Sequence, residues 1–202
     1  MKEKINIVWF KRDLRLSDHQ PLKNAFSNGL PTLLIYNFEP LLLDDGHYNE
    51  RHWRFVYQSI VDLNTQLARF NSRVYIFNED MQTLLESLHS QFAITNMFSH
   101  QEIGLNNTFE RDKTIKTWCQ HHHINWLESP TGAVIRGKKN RHNWNERWQQ
   151  TMQAPIAIPN WKQIKPLTLT DYKTPKLPSS YTQDNEHFQH GGPRLAREVM
   201  QS

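Results

Sequence analysis

The sequence predicts a doubly wound α/β fold on a five-stranded parallel sheet. Two observations carry that expectation. Five short runs rich in β-branched and aromatic residues recur through the first two thirds of the chain, and segments of helical periodicity separate them. Strands joined through helices need crossovers, and right-handed crossovers place helices on both faces of a parallel sheet.

The elements follow in order. Ile5 to Phe10 is the first strand, and Gln20 to Ser27 a short helix. Thr32 to Phe38 is the second strand. From Asn49 to Phe70, Trp53, Val56, Ile60, Leu63, Leu67 and Phe70 recur at spacings of three and four, one apolar stripe along a long helix. Asn49 is its expected N-cap, and a basic cluster occupies the opposite face. Val74 to Phe77 is the third strand, followed by a stripe of Met81, Leu84, Leu85, Leu88 and Phe92. Thr95 to Ser99 is the fourth strand. Phe109, Ile115, Trp118 and Cys119 form a looser helical stripe, and Ile124 to Leu127 is the fifth strand.

At roughly 150 residues per domain, 202 residues give one domain and a remainder. The α/β domain is expected over 1–135, with a basic and aromatic helix over 136–154 packed on it. Six of the ten prolines fall after Ala154 and periodicity lapses from Pro155 to His190, so 155–202 reads as a linker that regains helical spacing only over Pro193 to Gln201. The single Cys119 excludes an internal disulfide and reads as a buried thiol. No apolar run approaches the ~20 residues of a membrane span, and the N-terminus has no signal-peptide pattern, so the expectation is a soluble, cytoplasmic chain without a membrane partner.

A net charge of +4 permits an anionic partner without demanding one, because the cations are spread along the chain. Seven Trp are more informative, since large rings either fill a core or stack on a planar ligand. In a doubly wound sheet a ligand sits beyond the carboxyl ends of the strands, which selects the loops Lys11 to Asp18, Glu39 to Tyr48 and His100 to Asn107. No G-x-G-x-x-G or Walker A sequence follows any strand, so an ordinary phosphate cradle is not expected. His121, His122 and His123 project about 100° apart on a helix and cannot converge on one ion, so no metal is expected there. No Ser-His-Asp or paired-carboxylate arrangement can be argued, and no catalytic residue is assigned. Arg136 to Trp148 reads either as a platform for stacking single-stranded bases or as a helix packing through Trp144, Trp148 and Met152; the four-residue spacing favours packing.

The loop after the first strand reads W-F-K-R-D-L-R-L-S-D from Trp9 to Asp18 and resembles the N-terminal signature of the DNA photolyase and cryptochrome family. Asn49 to Phe55 (N-E-R-H-W-R-F), Ser99 to Gly104 (S-H-Q-E-I-G), Gly132-Ala133-Val134 and the closing Gly191-Gly192-Pro193-Arg194-Leu195-Ala196 agree with it. The resemblance implies a domain that holds a light-harvesting antenna chromophore, while FAD, the substrate pocket and the electron-transfer tryptophans belong to a C-terminal helical domain that would begin near Ser202. The parent would pass excitation to reduced FAD and inject an electron into a flipped-out pyrimidine photoproduct, as a photolyase. This chain alone would then carry no catalysis, bind DNA weakly or not at all, and have the helical FAD domain as its partner.

Folate-binding members of the family are expected to use an Asn-Glu pair, and the nearest equivalent here is Asn107-Thr108, without the carboxylate. A deazaflavin or flavin antenna is therefore favoured over folate. By position, Phe10, Lys11, Asp13, Phe38, Glu39, Gln101 and Glu102 would line its site. The alternative is a Rossmann-like nucleotide-binding or structural module with no chromophore, because this fold hosts many functions.

Overall fold

A computed structural model describes residues 1–137 and 140–201. Lys138 and Lys139 of the basic stretch and the terminal Ser202 lie outside the described residues. Strands β1 (Lys4–Phe10), β2 (Thr32–Asn37), β3 (Val74–Phe77), β4 (Ala93–His100) and β5 (Asn125–Ser129) form one parallel sheet in the order β3-β2-β1-β4-β5. The strand order reverses between β1 and β4, which are direct neighbours.

The period-two alternation of the central strands β1 and β2 sorts the core into two layers. Ile5, Ile7 and Trp9 of β1 face α4 (Met81–Gln91) and α5 (Asn106–His121), packing with Leu84, Leu88 and Ile115. Val8 and Phe10 face the other way, onto α1 (Gln20–Ser27) and α3 (Glu50–Leu67), where they meet Leu22, Ile60 and Leu63. Each such buried aliphatic side chain contributes about 1.5–3 kcal/mol, so both faces of β1 must be covered at once. Asn6 is fully buried at the start of this strand, and its amide donates to the Ala25 carbonyl and accepts from Asn96, so the polar group is satisfied without water.

Asn49 caps α3 as expected, its side chain accepting from the Arg51 amide while His52 Nδ1 accepts from the Asn49 amide. The loop after β2 contains a helical turn that periodicity did not reveal, α2 (Pro40–Leu43), entered at a proline suited to a first helical position. In α5 the stripe differs from the expectation. Phe109 is 43% exposed, while Thr108, Arg111 and Asp112 join Ile115, Trp118 and Cys119 on the buried face. Charges occupy a buried face here because they pair with one another, as described below.

The proline-rich segment carries little regular structure but is not a free linker. His19 donates its amide to the Ala157 carbonyl, and Trp161 stacks on Phe70 and meets Phe26 edge-on. Pro166 lies beside Thr32 in a parallel bridge, the hydrogen bonds being made by Lys165 and Leu167, since proline has no N–H to give. The Tyr172 hydroxyl then accepts from the Ile76 amide and donates to the Ile76 carbonyl on edge strand β3. One side chain thus occupies backbone groups that would otherwise be open to another strand. In contrast, α6 (Trp144–Met152) has no buried residue: Trp144 and Trp148 stack on each other and remain 43% and 41% exposed, so the face expected to pack on the domain is open.

Beyond the short helix α7 (Ser179–Thr182), the chain docks on α3 before forming α8 (Pro193–Gln201). Gly191 donates its amide to Gln58 Oε1 at 2.8 Å, and the Arg194 guanidinium pairs with Asp62. A Cβ on Gly191 would lie 2.1 Å from the Phe55 carbonyl oxygen, so only glycine allows this approach. Gly191→Ala is expected to destabilise the docked segment by about 1–3 kcal/mol, read as faster proteolysis after residue 186 with the sheet's own urea unfolding nearly unchanged.

Candidate functional site

The three loops selected from the strand ends converge on one cavity of about 390 Å³. Trp9, Phe10, Lys11 and Arg12 enter from β1, Tyr36, Glu39 and Leu42 from β2 and α2, Trp53 and Val56 from α3, and Glu102 and Arg111 from beyond β4. Gly192, Pro193 and Ala196 at the start of α8 complete the wall. This volume lies in the range that encloses most of a small ligand. Aromatic faces form much of the lining, with Tyr48 tilted 4.8 Å from Trp53. Arg12 clasps the mouth: its Nε lies 2.6 Å from Glu102 Oε1 and its Nη2 donates to the Tyr48 hydroxyl at 2.8 Å, joining all three loops.

Behind the cavity wall three cations and three carboxylates interlock. Asp112 takes Lys11 Nζ at 3.1 Å, Arg111 Nη2 at 2.9 Å and Arg136 Nη2 at 3.0 Å. Arg111 Nη1 also reaches Glu39 Oε1 at 2.5 Å, and Arg136 reaches Glu128 at 3.0 Å. Lys11 Nζ sits 4.3 Å from the Trp9 ring centroid and 5.3 Å from that of Trp126, with Arg111 also 4.7 Å from the Trp9 ring. Burial lowers the Lys11 pKa against the opposing pull of Asp112. Burial also pushes Glu39 up to about 7, with Arg111 and Lys11 resisting; the 2.5 Å contact with Arg111 favours the carboxylate form. Oε2 of Glu39 has no hydrogen-bond partner among the described residues, although Glu39 is 2% exposed.

A second buried constellation lies beside the first. Asp13 Oδ1 accepts from the Lys11 amide at 2.8 Å, and Oδ2 is shared by His100 Nδ1 and by His19 Nε2, the latter at 2.8 Å. Burial would raise the Asp13 pKa, but the two histidine contacts hold it well below the usual carboxylate range. Asp13, His19 and His100 bring three ligand-type atoms within 4.8 Å of one another. Their hydrogen bonding opposes a metal role, however: His19 Nδ1 accepts from the Leu22 amide at 3.2 Å, so the neutral ring carries its proton on Nε2, facing Asp13. That atom then has no lone pair for an ion. The cluster caps α1 and fixes the first loop.

Of the positions expected from sequence, Phe10, Lys11, Glu39 and Glu102 border the cavity. Asp13 instead holds the two histidines, Phe38 is fully buried among Tyr36, Trp53 and Tyr181, and Gln101 joins β5 through its backbone. Sequence reasoning missed Arg111, Tyr48 and Trp53 as lining residues. The available signal for Arg111 was its place, with Asp112, one helical turn before Ile115 on the buried stripe. Asn107, the residue considered for folate, is engaged internally: its amide donates to the Leu41 carbonyl and to Asp45, and its oxygen accepts from the Thr108 amide.

The profile of the DNA photolyase family matches residues 6–168. Among curated proteins, cryptochrome DASH of Synechocystis sp. is 26% identical over 102 residues, covering 48% of this chain and 21% of that protein. Cryptochrome-2 of Gallus gallus is 27% identical over 92 residues, covering 46% of this chain and 16% of that one. Among solved structures, the Synechocystis sp. cryptochrome superposes with a TM-score of 0.79 at 16% identity, covering 98% of this chain and 45% of that one. An archaeal photolyase from Sulfolobus tokodaii, described with two FAD molecules and a novel light-harvesting cofactor, gives 0.76 at 16% identity, covering 98% and 46%. The match therefore spans about a sixth to a fifth of these curated relatives and under half of these structures.

Asp112→Asn removes the shared counter-charge and is expected to cost about 3–5 kcal/mol in urea unfolding, as breaking a buried ion network does. Burial lowers the His19 pKa, with Asp13 opposing. The unfolded chain takes a proton near pH 6.5 that the folded His19 refuses, so stability falls as pH drops through that value. His19→Gln should remove this component, giving a shallower dependence between pH 7.5 and 5.5 by up to about 1.4 kcal/mol per pH unit.

Proposed function

This chain belongs to the DNA photolyase family, and from that premise we propose that its cavity binds a planar, light-absorbing antenna chromophore of flavin or deazaflavin type. The observation that carries the reading is the aromatic-walled cavity at the carboxyl ends of β1 and β2, lined by Trp9, Tyr36, Tyr48 and Trp53, with a buried carboxylate oxygen, Glu39 Oε2, that has neither a hydrogen-bond partner nor an ion pair among the described residues. When bound, such a group supplies absorption in the near-UV and blue and a donor of excitation energy.

The chain's own residues supply containment and orientation. Tyr48 and Trp53 offer faces for a flat ring, Leu42 and Val56 exclude water, and Arg12 and Arg15 stand exposed at the mouth, suited to a polar or anionic tail. The internal bonds of Asn107 support a flavin-type antenna over folate, because the residue that would hold a pterin is already occupied. The same reading gives the full protein a helical FAD-binding domain as intramolecular partner and light-driven repair of pyrimidine photoproducts in DNA as its activity, in a cytoplasmic setting. No helix among the described residues is long and apolar enough to cross a membrane.

Titration with FMN, a deazaflavin, a reduced folate and ATP tests the proposal. Flavin and deazaflavin are expected to bind with quenched fluorescence, and folate and ATP weakly. ATP binding without any flavin binding would overturn the antenna reading in favour of a Rossmann-like nucleotide module. Val56→Trp, which fills the cavity from α3, should weaken flavin binding at least about tenfold, equivalent to about 1.4 kcal/mol, with little change in unfolding midpoint.

A further inference from the structure

Two cavity carboxylates, Glu39 and Glu102, have a buried oxygen without a hydrogen bond among the described residues. Glu102 Oε1 has Arg12 Nε at 2.6 Å, whereas Glu39 Oε2 has no cation against it, so Glu39 is the one whose chemistry the fold leaves incomplete. It follows β2 and stands at the N-cap of α2, yet its side chain makes no capping bond; the helix start is held by its backbone carbonyl, which accepts from the Leu42 and Leu43 amides. Oε1 is fixed by Arg111 at 2.5 Å, while Oε2 is buried with no partner among the described residues. The nearby donors are committed elsewhere. Arg111 Nε and Nη2 bond Asp112, Lys11 Nζ bonds Asp112, and Asn37 Nδ2 donates to the Glu79 carbonyl. A buried carboxylate oxygen held in place by an arginine yet given no donor is costly unless a ligand completes it.

Resting on the antenna reading above, we propose that Glu39 Oε2 accepts a hydrogen bond from a ring N–H of the bound chromophore, so that the cavity selects flat heterocycles presenting an imide-type donor at the edge that enters first. Burial orders the site: Glu39 is buried at the closed end, whereas Arg12 and Arg15 are exposed at the mouth. The donor edge therefore points inward and the tail outward. Arg111 makes this a specificity device as well as a contact, since it holds the carboxylate plane and keeps Oε1 engaged, leaving a single acceptor in one direction. A ring alkylated at that nitrogen loses the bond, leaves the buried oxygen unpaired and brings a methyl group against it.

The test compares riboflavin with 3-methylriboflavin, which differ at the imide nitrogen alone, by fluorescence titration at pH 8. This is above the value of about 7 to which burial pushes Glu39. The wild-type chain should bind riboflavin at least about tenfold more tightly, the effect of one buried hydrogen bond. Glu39→Gln should weaken riboflavin and bring the two ligands to within about threefold of each other; the wild-type comparison stands even if that variant folds poorly. Equal binding of both flavins by the wild-type chain overturns the role of Glu39 while leaving the cavity reading intact. Binding of neither flavin overturns the cavity reading and this inference with it.

Discussion

The carboxylate of Asp112 is the interaction on which the site depends. Three cations from separate parts of the chain converge on it: Lys11 after β1, Arg111 on α5 and Arg136 after β5. Burying any of these charges alone would be strongly destabilising, because the effective cost of taking one ion out of water is several kcal/mol, a large part of a domain's net stability. Balanced by Glu39 and Glu128, they become a rigid polar floor beneath an aromatic cavity. The arrangement also sets direction, since Arg111 spends two nitrogens on Asp112 and one on Glu39, so the Glu39 carboxylate cannot rotate freely.

A second constraint comes from the C-terminal quarter. Its prolines prevent ladders of its own, yet Lys165, Leu167 and Tyr172 bond the backbone of the sheet, and Gly191 and Gly192 allow the chain to lie against α3. That approach brings Pro193 and Ala196 to the cavity wall. The segment therefore covers the edge strand and helps to enclose the site, two roles that follow from main-chain bonding and close packing. α6, with Trp144 and Trp148 stacked on each other, buries no residue against this framework.

Much of the fold could be read residue by residue. The strand runs, the α3 stripe with its Asn49 cap and the Pro193 to Gln201 helix depend on neighbours within four residues, which local periodicity records. Position within an element was harder to read. Phe38 and Glu39 are adjacent at the end of β2, yet one is fully buried in the core and the other borders the cavity. Asp13 looked like a ligand contact because of its loop, but its oxygens are taken by Lys11, His19 and His100.

By itself the sequence determined the alternation of strands and helices, the parallel sheet, the loops that carry the site and the family signature at Trp9 to Asp18. Only the tertiary structure decided which charges are buried, which oxygen lacks a partner and which residues close the cavity. The reason is physical: Lys11 and Asp112 are 101 positions apart, and Glu39 and Arg111 are 72 apart. The chain's local pattern records which face of an element is apolar, but the pairing of distant charges is settled only when crossovers bring the strand ends together.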